Sequence, residues 1–489
     1  MTMDRRKAPL AVVALVALGW VAFIWGWRAS ILTLPVDDAY YYMQIARNVA
    51  RGAGATFGSQ GVTGGFHPLW LGALVPLARA LGSRPDTYVR TVLTLDVALV
   101  VGGALALGRV GRHVPWLIAL ALVPFHTAKI LLNGQESSLV WLLMSLCVAR
   151  LLAEDRRNYL VDGVLAGALC LARLSALPLA LTFVLVPVVL ERPLSKQTLT
   201  RVARSLALMS CMGGAWALWL VVRTGHLVPV SAAIKMGSSG AVTLASLLGL
   251  ACAAAALLLV RRWPGTAWLA PLSAQVAAEL LVAIVRGPLV PEIWTLVPHL
   301  MLAICLLGGA LRGSTQVKAV ALATVGAIAL AVFSWRLRLD PQSWSAYASA
   351  RRAGEWVSAN TPRDAVVAGW DCGIAALFAD RSFYPLDGLV GTWRYKTEVL
   401  DAGKVEAFVD DRRVDYIVQY VAVDALAVDP SVSFGGVRLA PMDVSWSECG
   451  VFRSSLTPGA PWAYAYLVLR REPGIAPLGA TRAVLCGPH

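Results

Sequence analysis

Long apolar stretches separated by short polar segments fill the first 338 residues of the chain. Most of these stretches have roughly 17–25 residues, enough for an α-helix to cross about 30 Å of hydrocarbon. We predict about eleven membrane spans from this pattern. Their predicted bounds are 9–32, 88–108, 114–132, 137–153, 159–173, 175–190, 202–223, 243–260, 266–285, 293–311 and 317–337. The pattern therefore predicts a multi-pass α-helical membrane domain over residues 1–338.

A shorter apolar piece from His67 to Gly82 decides the topology. If it does not cross the membrane, the basic clusters between the later spans lie on the same side as Arg5, Arg6 and Lys7. Because Lys and Arg gather in cytoplasmic loops, we predict that residues 67–82 form a helix in the outer interface. The N-terminus is then cytoplasmic, the first span is uncleaved, and the segment after residue 338 lies outside, in the periplasm or extracellular space.

The pattern changes at Asp340, where charges, Pro, Gly and short alternating stretches replace the apolar runs. This change predicts a second domain over residues 339–489, a small α/β module on the outer side. We expect strands and one helix there; the strands are 365–368, 416–419 and 464–469, and the helix is 404–411. Trp370-Asp371 and Asp387-Gly388 are candidates for an acceptor-facing surface, although a stabilising turn is the favoured interpretation of Asp387-Gly388.

Composition supports a membrane class and excludes a nucleic-acid partner. Apolar residues make up 57% of the chain and charged residues 15%, against about 25% charged in soluble domains. The net charge of +14 is spread over short clusters between apolar spans, and no basic stripe with interleaved aromatic residues is present in the sequence. The charge therefore reports membrane topology, and the bilayer is the expected surrounding.

Cysteine spacing indicates no metal site. Five of the eight cysteines lie in predicted spans, where cysteine is usually a packing residue. Cys372, Cys449 and Cys486 fall in the C-terminal domain, so at most one disulfide forms within it; we suggest Cys449 with Cys486.

Two adjacent carboxylates follow the first span directly. Asp37 and Asp38 begin the first outer loop, residues 35–82, and Ala39–Ala50 has helical spacing with an apolar and a polar face. We expect this helix to lie along the membrane interface, with Gln44 and Arg47 on its polar face. Two interpretations stay open on these residues alone. The aspartates cap the helix, or a partly shielded carboxylate serves as a general base.

This loop resembles the corresponding loop of integral-membrane glycosyltransferases of the GT-C type, particularly the bacterial and actinobacterial arabinosyl-, mannosyl- and aminoarabinose transferases. The most specific residues are the acidic pair, the segment Ile45–Phe57 and Gly65–Trp70. Weaker matches continue along most of the chain, at Asn133–Glu136, Ala172–Leu174, Pro229–Ser231 with Lys235, Val297–His299 and Tyr384–Gly388. The pattern differs at Gln135, Ser175 and Thr295-Leu296, so the resemblance does not identify the donor sugar.

The resemblance implies a sugar donor on a polyprenyl phosphate and a cell-envelope glycan or glycolipid acceptor. It implies Asp38 as the general base and Asp37 as its partner, in a single displacement that inverts the anomeric carbon. Charge on the departing phosphate needs stabilisation. The candidates for that role are Lys235, Arg173, His67 and His299, with Glu136, Tyr40 and Tyr41 as acceptor- or donor-binding residues. A monophosphate needs no cofactor, and a divalent cation is compatible with the site but not implied.

Other interpretations remain open at this point. Glu136 is also suited to a helix N-terminus, Lys235 to a solvated loop and His299 to helix packing. Asp96 and Glu279 fall near the middle of predicted spans, where carboxylates are costly and default to functional hypotheses. They support the alternative of a transporter or flippase of lipid-linked sugars, although a hydrogen-bonding role is preferred because each is single. A non-catalytic assembly scaffold is a third hypothesis, in which none of these carboxylates matters.

Overall fold

The computed structural model describes residues 8–58, 60–108, 114–153, 158–191, 193–237, 239–286, 295–310, 342–422, 433–434, 437–438, 445–453 and 464–472. Most of the first 310 residues are helical. The helices up to that point are α1 (Ala8–Gly26), α2 (Ser30–Thr33), α3 (Asp37–Ala50), α4 (Pro68–Leu81), α5 (Pro85–Leu107), α6 (Val114–Leu122), α7 (Phe125–Leu131), α8 (Ser137–Leu152), α9 (Tyr159–Ala172), α10 (Leu177–Leu190), α11 (Lys196–Thr224), α12 (Val230–Lys235), α13 (Ser239–Arg262), α14 (Ala270–Arg286) and α15 (Leu296–Ala310).

Within the described part of the chain, four helical segments are long and apolar enough to cross a membrane. They are Pro85–Leu107, Lys196–Thr224, Leu244–Arg262 and Gly265–Ala283. Shorter apolar helices accompany them, among them Ala11–Gly26, Ser137–Leu152 and Tyr159–Ala172. This architecture fits a membrane protein. The predicted span 317–337 lies outside the described residues, so the number of spans stays a prediction.

One predicted span is broken in the structure. The stretch predicted as 114–132 forms α6 and α7, with Pro124 in an extended conformation between them. Proline lacks the amide hydrogen that would continue the helix and clashes with the preceding turn. The apolar run alone did not predict this break.

A pair of glycines brings α9 and α11 into close contact. A Cβ added at Gly163 would lie 2.9 Å from the Ser205 carbonyl oxygen, and one at Gly167 would lie 2.6 Å from the sulfur of Met212. The two glycines are four residues apart and share one face of α9. This is the small-xxx-small arrangement that lets helix backbones approach within membranes.

The C-terminal part contains a five-stranded mixed sheet in the order β2-β1-β3-β7-β6. Its described elements are α16 (Gln342–Asn360), β1 (Val366–Gly369), α17 (Gly373–Ala379), β2 (Ser382–Pro385), α18 (Trp393–Tyr395), α19 (Val405–Asp411), β3 (Tyr416–Ala422), the short β4 (Ser433–Phe434) and β5 (Val437–Arg438), β6 (Ser445–Arg453) and β7 (Tyr464–Glu472). β2 and β3 run parallel to β1, whereas β7 pairs antiparallel with both β3 and β6. The three predicted strands and the predicted helix are confirmed to within about three residues.

Helix α3 is buried, and its predicted polar face packs against the C-terminal part. Gln44 is 3% exposed and Arg47 is 2% exposed, so the expectation that they face outward at the membrane interface is wrong. The Arg47 guanidinium donates to the carbonyl oxygens of Leu377 at 3.0 Å and Ala376 at 3.3 Å, near the end of α17. Because these carbonyls have no partner within the helix, a buried arginine satisfies them.

The rest of the first outer loop packs between α11 and the C-terminal part, and its glycines permit the close approach. A Cβ added at Gly58 would lie 1.8 Å from the Phe383 carbonyl oxygen, and one at Gly65 would lie 2.3 Å from that of Leu389. Only a residue without a side chain permits such an approach of two backbones. Gly58 and Gly65 therefore lie directly against the backbone of Phe383 and Leu389.

Candidate functional site

Asp37 and Asp38 occupy the first turn of α3. The N-cap is Val36, in an extended conformation, and no side chain caps the helix. The Val36 amide donates instead to the Asn133 carbonyl at 3.2 Å, which fixes the loop between α7 and α8 beside the helix start. The hypothesis that the aspartates cap α3 is therefore not supported, although their position suits the positive end of the helix dipole.

Asp38 forms an ion pair with Lys235. The Lys235 Nζ lies 2.6 Å from Asp38 Oδ2, and the two side chains are 30% and 24% exposed. Lys235 ends the short helix α12, which follows the left-handed Gly225 at the end of α11. The structure thus brings together two residues 197 positions apart that sequence reasoning assigned to base and phosphate roles.

Asp37 is the buried member of the acidic pair. Its Oδ1 atom has no hydrogen-bond partner among the described residues, while the backbone of Ile374 in α17 hydrogen-bonds to its carboxylate. Burial raises the pKa of Asp37 well above its usual value, and the nearby charges of Asp371, Asp38 and Asp387 add to this effect. A Cβ added at Gly373 would lie 2.9 Å from the Asp37 carbonyl oxygen, so α17 approaches closely only because glycine begins it.

Two aspartates of the C-terminal part, Asp371 and Asp387, lie near Asp37 and Asp38. The Tyr41 hydroxyl donates to Asp387 Oδ2 at 2.5 Å, and the Leu389 amide donates to Asp387 Oδ1 at 2.9 Å. The second contact, with Gly388 at a φ of +74°, confirms the predicted turn. Asp371 adopts a φ of 44°, and burial together with the charge of Asp38 raises its pKa. We call Asp37, Asp38, Asp371 and Asp387 the acidic cluster.

Sequence analysis considered Asp371 and Asp387 only as surface candidates. They lie more than 330 positions from Asp37, so no spacing rule connects them with it. The available signal was local: an Asp-Gly turn and an aspartate just after a predicted strand. Neither signal specifies a contact with the first outer loop.

A basic group lies beside the acidic cluster. Arg173 Nη1 lies 3.1 Å from Glu136 Oε1, and His67 Nε2 lies 3.6 Å from the same oxygen. Burial lowers the pKa of His67; the charge of Glu136 opposes this, whereas Arg173 and Lys235 add to it. The lowered pKa favours the neutral imidazole, and Arg173 and Lys235 lie near enough to contribute to it. Glu136 is buried and holds His67 and Arg173 together.

The tyrosines separate into different roles. Tyr41 contacts Asp387, as described, whereas the Tyr40 hydroxyl donates to the carbonyl of Ile31. Tyr42, which was not predicted as a site residue, accepts a hydrogen bond from the His67 amide at 3.3 Å. Burial raises its pKa, and the charges of Glu136 and Asp38 add to this effect.

His299 lies apart from the Asp38–Lys235 pair. Its Nδ1 atom is 2.9 Å from the Thr295 carbonyl oxygen and 3.5 Å from Glu279 Oε2. A chain of contacts leads from there to Arg173, since Gln275 donates to Glu279 at 2.9 Å and to the Ser175 carbonyl at 2.8 Å. Arg173 in turn donates to the Ser175 hydroxyl at 2.8 Å.

Asp96 holds the loop that carries Glu136. Its two oxygens accept hydrogen bonds from the Gly134 amide at 2.9 Å and the Ser138 hydroxyl at 2.6 Å. The Trp70 indole donates to the Gly134 carbonyl at 3.3 Å from the other side. Both oxygens are thus satisfied within the fold, which supports the preferred hydrogen-bonding role for this carboxylate.

Neither a metal cluster nor the suggested disulfide is part of the described site. The described residues contain no group of three His, Cys, Asp or Glu side chains arranged to hold a metal ion. Cys372 is a free, buried thiol. The suggested pairing of Cys449 with Cys486 lies outside the described residues.

Comparison with known proteins gives a partial picture. A family model described as a domain of unknown function (DUF8728) matches residues 335–466. We find no match among curated protein sequences.

Three solved structures are similar in overall shape at low sequence identity. The archaeal oligosaccharyltransferase AglB from Archaeoglobus fulgidus, in complex with an inhibitory peptide and a dolichol-phosphate, is 13% identical with a TM-score of 0.45; the match covers 87% of this chain and 70% of AglB. An Archaeoglobus fulgidus oligosaccharyltransferase in complex with Zn and sulfate is 13% identical with a TM-score of 0.44; the match covers 93% of this chain and 72% of that chain. ArnT from Cupriavidus metallidurans in the apo state is 13% identical with a TM-score of 0.42; the match covers 92% of this chain and 98% of ArnT. All three TM-scores are below 0.5, so these similarities do not define the family.

Proposed function

We propose that this protein is an inverting glycosyltransferase that moves a sugar from a polyprenyl phosphate to a cell-envelope glycan or glycolipid. The reaction takes place on the outer face of a bacterial inner membrane. One observation carries the proposal: the 2.6 Å pair of Asp38 and Lys235, beside Arg173 and His67. It joins a proton acceptor, Asp38, to two cations, Lys235 and Arg173, and transfer from a lipid phosphate needs both kinds of group.

Lys235 exchanges partners when the donor binds. In the free protein its ammonium neutralises Asp38; a lipid phosphate that enters the site competes for the same ammonium and for the Arg173 guanidinium. Asp38 then becomes a free carboxylate at a position open to solvent, as its 24% exposure allows. Binding of the donor thereby prepares the base.

The chemical step is a single displacement. Asp38 removes the proton from an acceptor hydroxyl, and the oxygen forms a bond to the anomeric carbon of the sugar. The bond from that carbon to the phosphate oxygen breaks, and its electron pair remains on the phosphate. Lys235 and Arg173 stabilise the charge that develops there. Attack opposite the leaving group inverts the anomeric configuration.

Asp37 supports the base from the buried side. Its raised pKa favours the neutral form near Asp38, because several like charges in one buried cluster cannot all ionise at low cost. A protonated Asp37 limits the repulsion that Asp38 experiences when Lys235 turns to the phosphate. The exposed aspartate is therefore assigned as the base and the buried one as its partner.

The decisive experiment compares sugar transfer by purified wild-type protein and Asp38→Asn. Decaprenyl-phosphate arabinose and polyprenyl-phosphate mannose are the first donors, with cell-envelope glycans as acceptors. Loss of a general base lowers turnover by about 10²–10⁴-fold. We expect the variant to lose transfer while it still binds donor, since Lys235 and Arg173 remain.

Asp364→Asn is the matched control, because Asp364 is an exposed aspartate in the turn before β1. It should retain full activity. Full activity of Asp38→Asn would remove Asp38 from the mechanism. Absence of transfer by the wild type with every donor would contradict the proposal and favour transport of lipid-linked sugars, which an assay of donor movement across vesicles would then test.

A further inference from the structure

A cavity of about 810 Å³ lies at the ends of α8 and α9 that are remote from Glu136 and Arg173, beside the last turns of α10. Glu136 precedes α8 and Arg173 follows α9, whereas the cavity is lined by the last residues of α8 and α10 and the first of α9. With 16 residues at a rise of 1.5 Å each, α8 places its two ends about 24 Å apart. The cavity is therefore at the opposite end of the helical layer from Asp38.

The charged residues that line the described cavity are balanced. Arg150 and Arg201 are positive, and Asp162 and Glu191 are negative. Arg150 Nε donates to Asp162 Oδ1 at 3.0 Å, but its buried Nη2 has no hydrogen-bond partner among the described residues. A buried guanidinium nitrogen without an acceptor is costly, so an acceptor oxygen beside it is stabilising.

The remaining lining is apolar, and the surrounding surface is apolar as well. Phe183, Pro187, Leu190 and Trp268 form one wall. Large apolar side chains are exposed around this end of the helices, namely Tyr159, Leu160, Leu190, Leu194 and Leu199. In a membrane protein such side chains face acyl chains, so the cavity opens toward lipid.

We propose that this cavity binds one phospholipid with a primary ammonium head group, phosphatidylethanolamine, from the leaflet opposite the acidic cluster. Its phosphate accepts hydrogen bonds from the guanidinium groups of Arg150 and Arg201, and its ammonium pairs with Glu191. One acyl chain lies along Phe183, Leu190 and Trp268. The two carboxylates disfavour a purely anionic lipid such as phosphatidylglycerol. The site is independent of sugar transfer.

Native mass spectrometry of the full-length protein, released from nanodiscs with equal phosphatidylethanolamine and phosphatidylglycerol of the same acyl chains, tests the proposal. Gly265→Trp is the blocking variant, because Gly265 lines the cavity and a Cβ there meets no atom within 4 Å. Gly214→Trp is the control, since an added Cβ at this exposed position in α11 also meets no atom within 4 Å. We expect bound phosphatidylethanolamine on the wild type and the control, and loss of it from the blocking variant.

A second variant tests the head-group contact. Arg201→Gln removes one charge-assisted hydrogen bond to phosphate, which corresponds to about a tenfold loss of affinity. Retention of the lipid by both Gly265→Trp and Arg201→Gln would overturn the site. Equal occupancy by phosphatidylglycerol would overturn the assignment of Glu191 to an ammonium group, and absence of bound lipid from the wild type would overturn the proposal as a whole.

Discussion

Asp387, in the C-terminal part, has a carboxylate that interacts with residues of the N-terminal helical part, among them Tyr41. Burial raises its pKa to about 7, and the charges of Asp371 and Asp38 add to the rise, whereas the hydrogen bonds from Tyr41 and Leu389 oppose it. The folded-state value is above the usual 3.8. Between these two pH values the folded chain holds a proton that the unfolded chain releases. The stabilisation is therefore fully present below about pH 4 and is lost as the pH rises through about 7.

Asp387→Asn should remove this pH dependence while it keeps an oxygen for the Tyr41 hydroxyl. We expect the stability of the wild type to fall, relative to the variant, by on the order of 1–3 kcal/mol between pH 5 and pH 7.5. Thermal unfolding of both proteins in the same detergent at the two pH values measures the difference. Parallel curves for the two proteins would contradict the raised pKa.

Residue types predicted part of the site. Asp37 and Asp38 stand next to each other at the end of an apolar run, where both their chemistry and the predicted topology make them candidates. Lys235, Arg173 and Glu136 were recoverable from loops placed on one side by the basic clusters. Tyr42 was not, because its role comes from the backbone amide of His67, and a sequence does not show which of three consecutive tyrosines faces that amide.

At the scale of elements, α3 and α17 form a parallel pair with their first turns together. Asp37 lies beside Gly373 and Ile374, and ten residues further on Arg47 donates to the end of α17. The start of each helix carries partial positive charge, so two helix starts face the acidic cluster. The Arg47 contacts hold this pair in register.

Arg47→Leu should therefore loosen the pairing of α3 with α17. The substitution leaves the carbonyls of Ala376 and Leu377 buried without a side-chain donor, at a cost of about 2–4 kcal/mol. Arg51→Leu is the control: Arg51 is 48% exposed and pairs with the half-exposed Asp380 at 2.8 Å, a type of contact that contributes about 0–1 kcal/mol. Apparent melting temperatures of the two variants give the comparison, and equal shifts would refute a special role for Arg47.

Periodicity predicted some elements and not others. Strands β1, β3 and β7 alternate or run apolar between turn residues, so their positions followed from the sequence. Helix α17 was missed because it has only seven residues and every one is buried, which removes the polar face that marks a helix. The polar face of α3 was predicted, but at the membrane interface instead of inside the protein. Arg47 on that face is buried and donates to a carbonyl that lies 330 positions away in the sequence.

At the scale of the whole molecule, the orientation of the chain in the membrane stays a prediction that rests on the positions of the basic clusters. Single cysteines at Lys196, which begins α11, and at Asp364, which precedes β1, distinguish the two sides, since both positions are exposed. We expect a membrane-impermeant maleimide to label Asp364→Cys from outside and Lys196→Cys only after permeabilisation.

The wild-type chain, with its native cysteines, measures the background in that labelling experiment. Labelling of Lys196→Cys in intact cells would reverse the topology and move the acidic cluster to the cytoplasmic side. For the proposed transferase, a reversed topology would also require a donor presented from the cytoplasmic leaflet.

The hydrogen bond between Tyr41 and Asp387 spans 346 positions. A ribosome that has made the first outer loop must still synthesise almost the whole remaining chain before the partner of Tyr41 exists. During that interval Asp37 lacks the neighbours that bury it, and the acidic cluster is incomplete. A nascent or prematurely terminated chain therefore carries the complete first outer loop but only half of the site. In terms of the proposed function, such a chain is unable to transfer sugar while it is still being inserted.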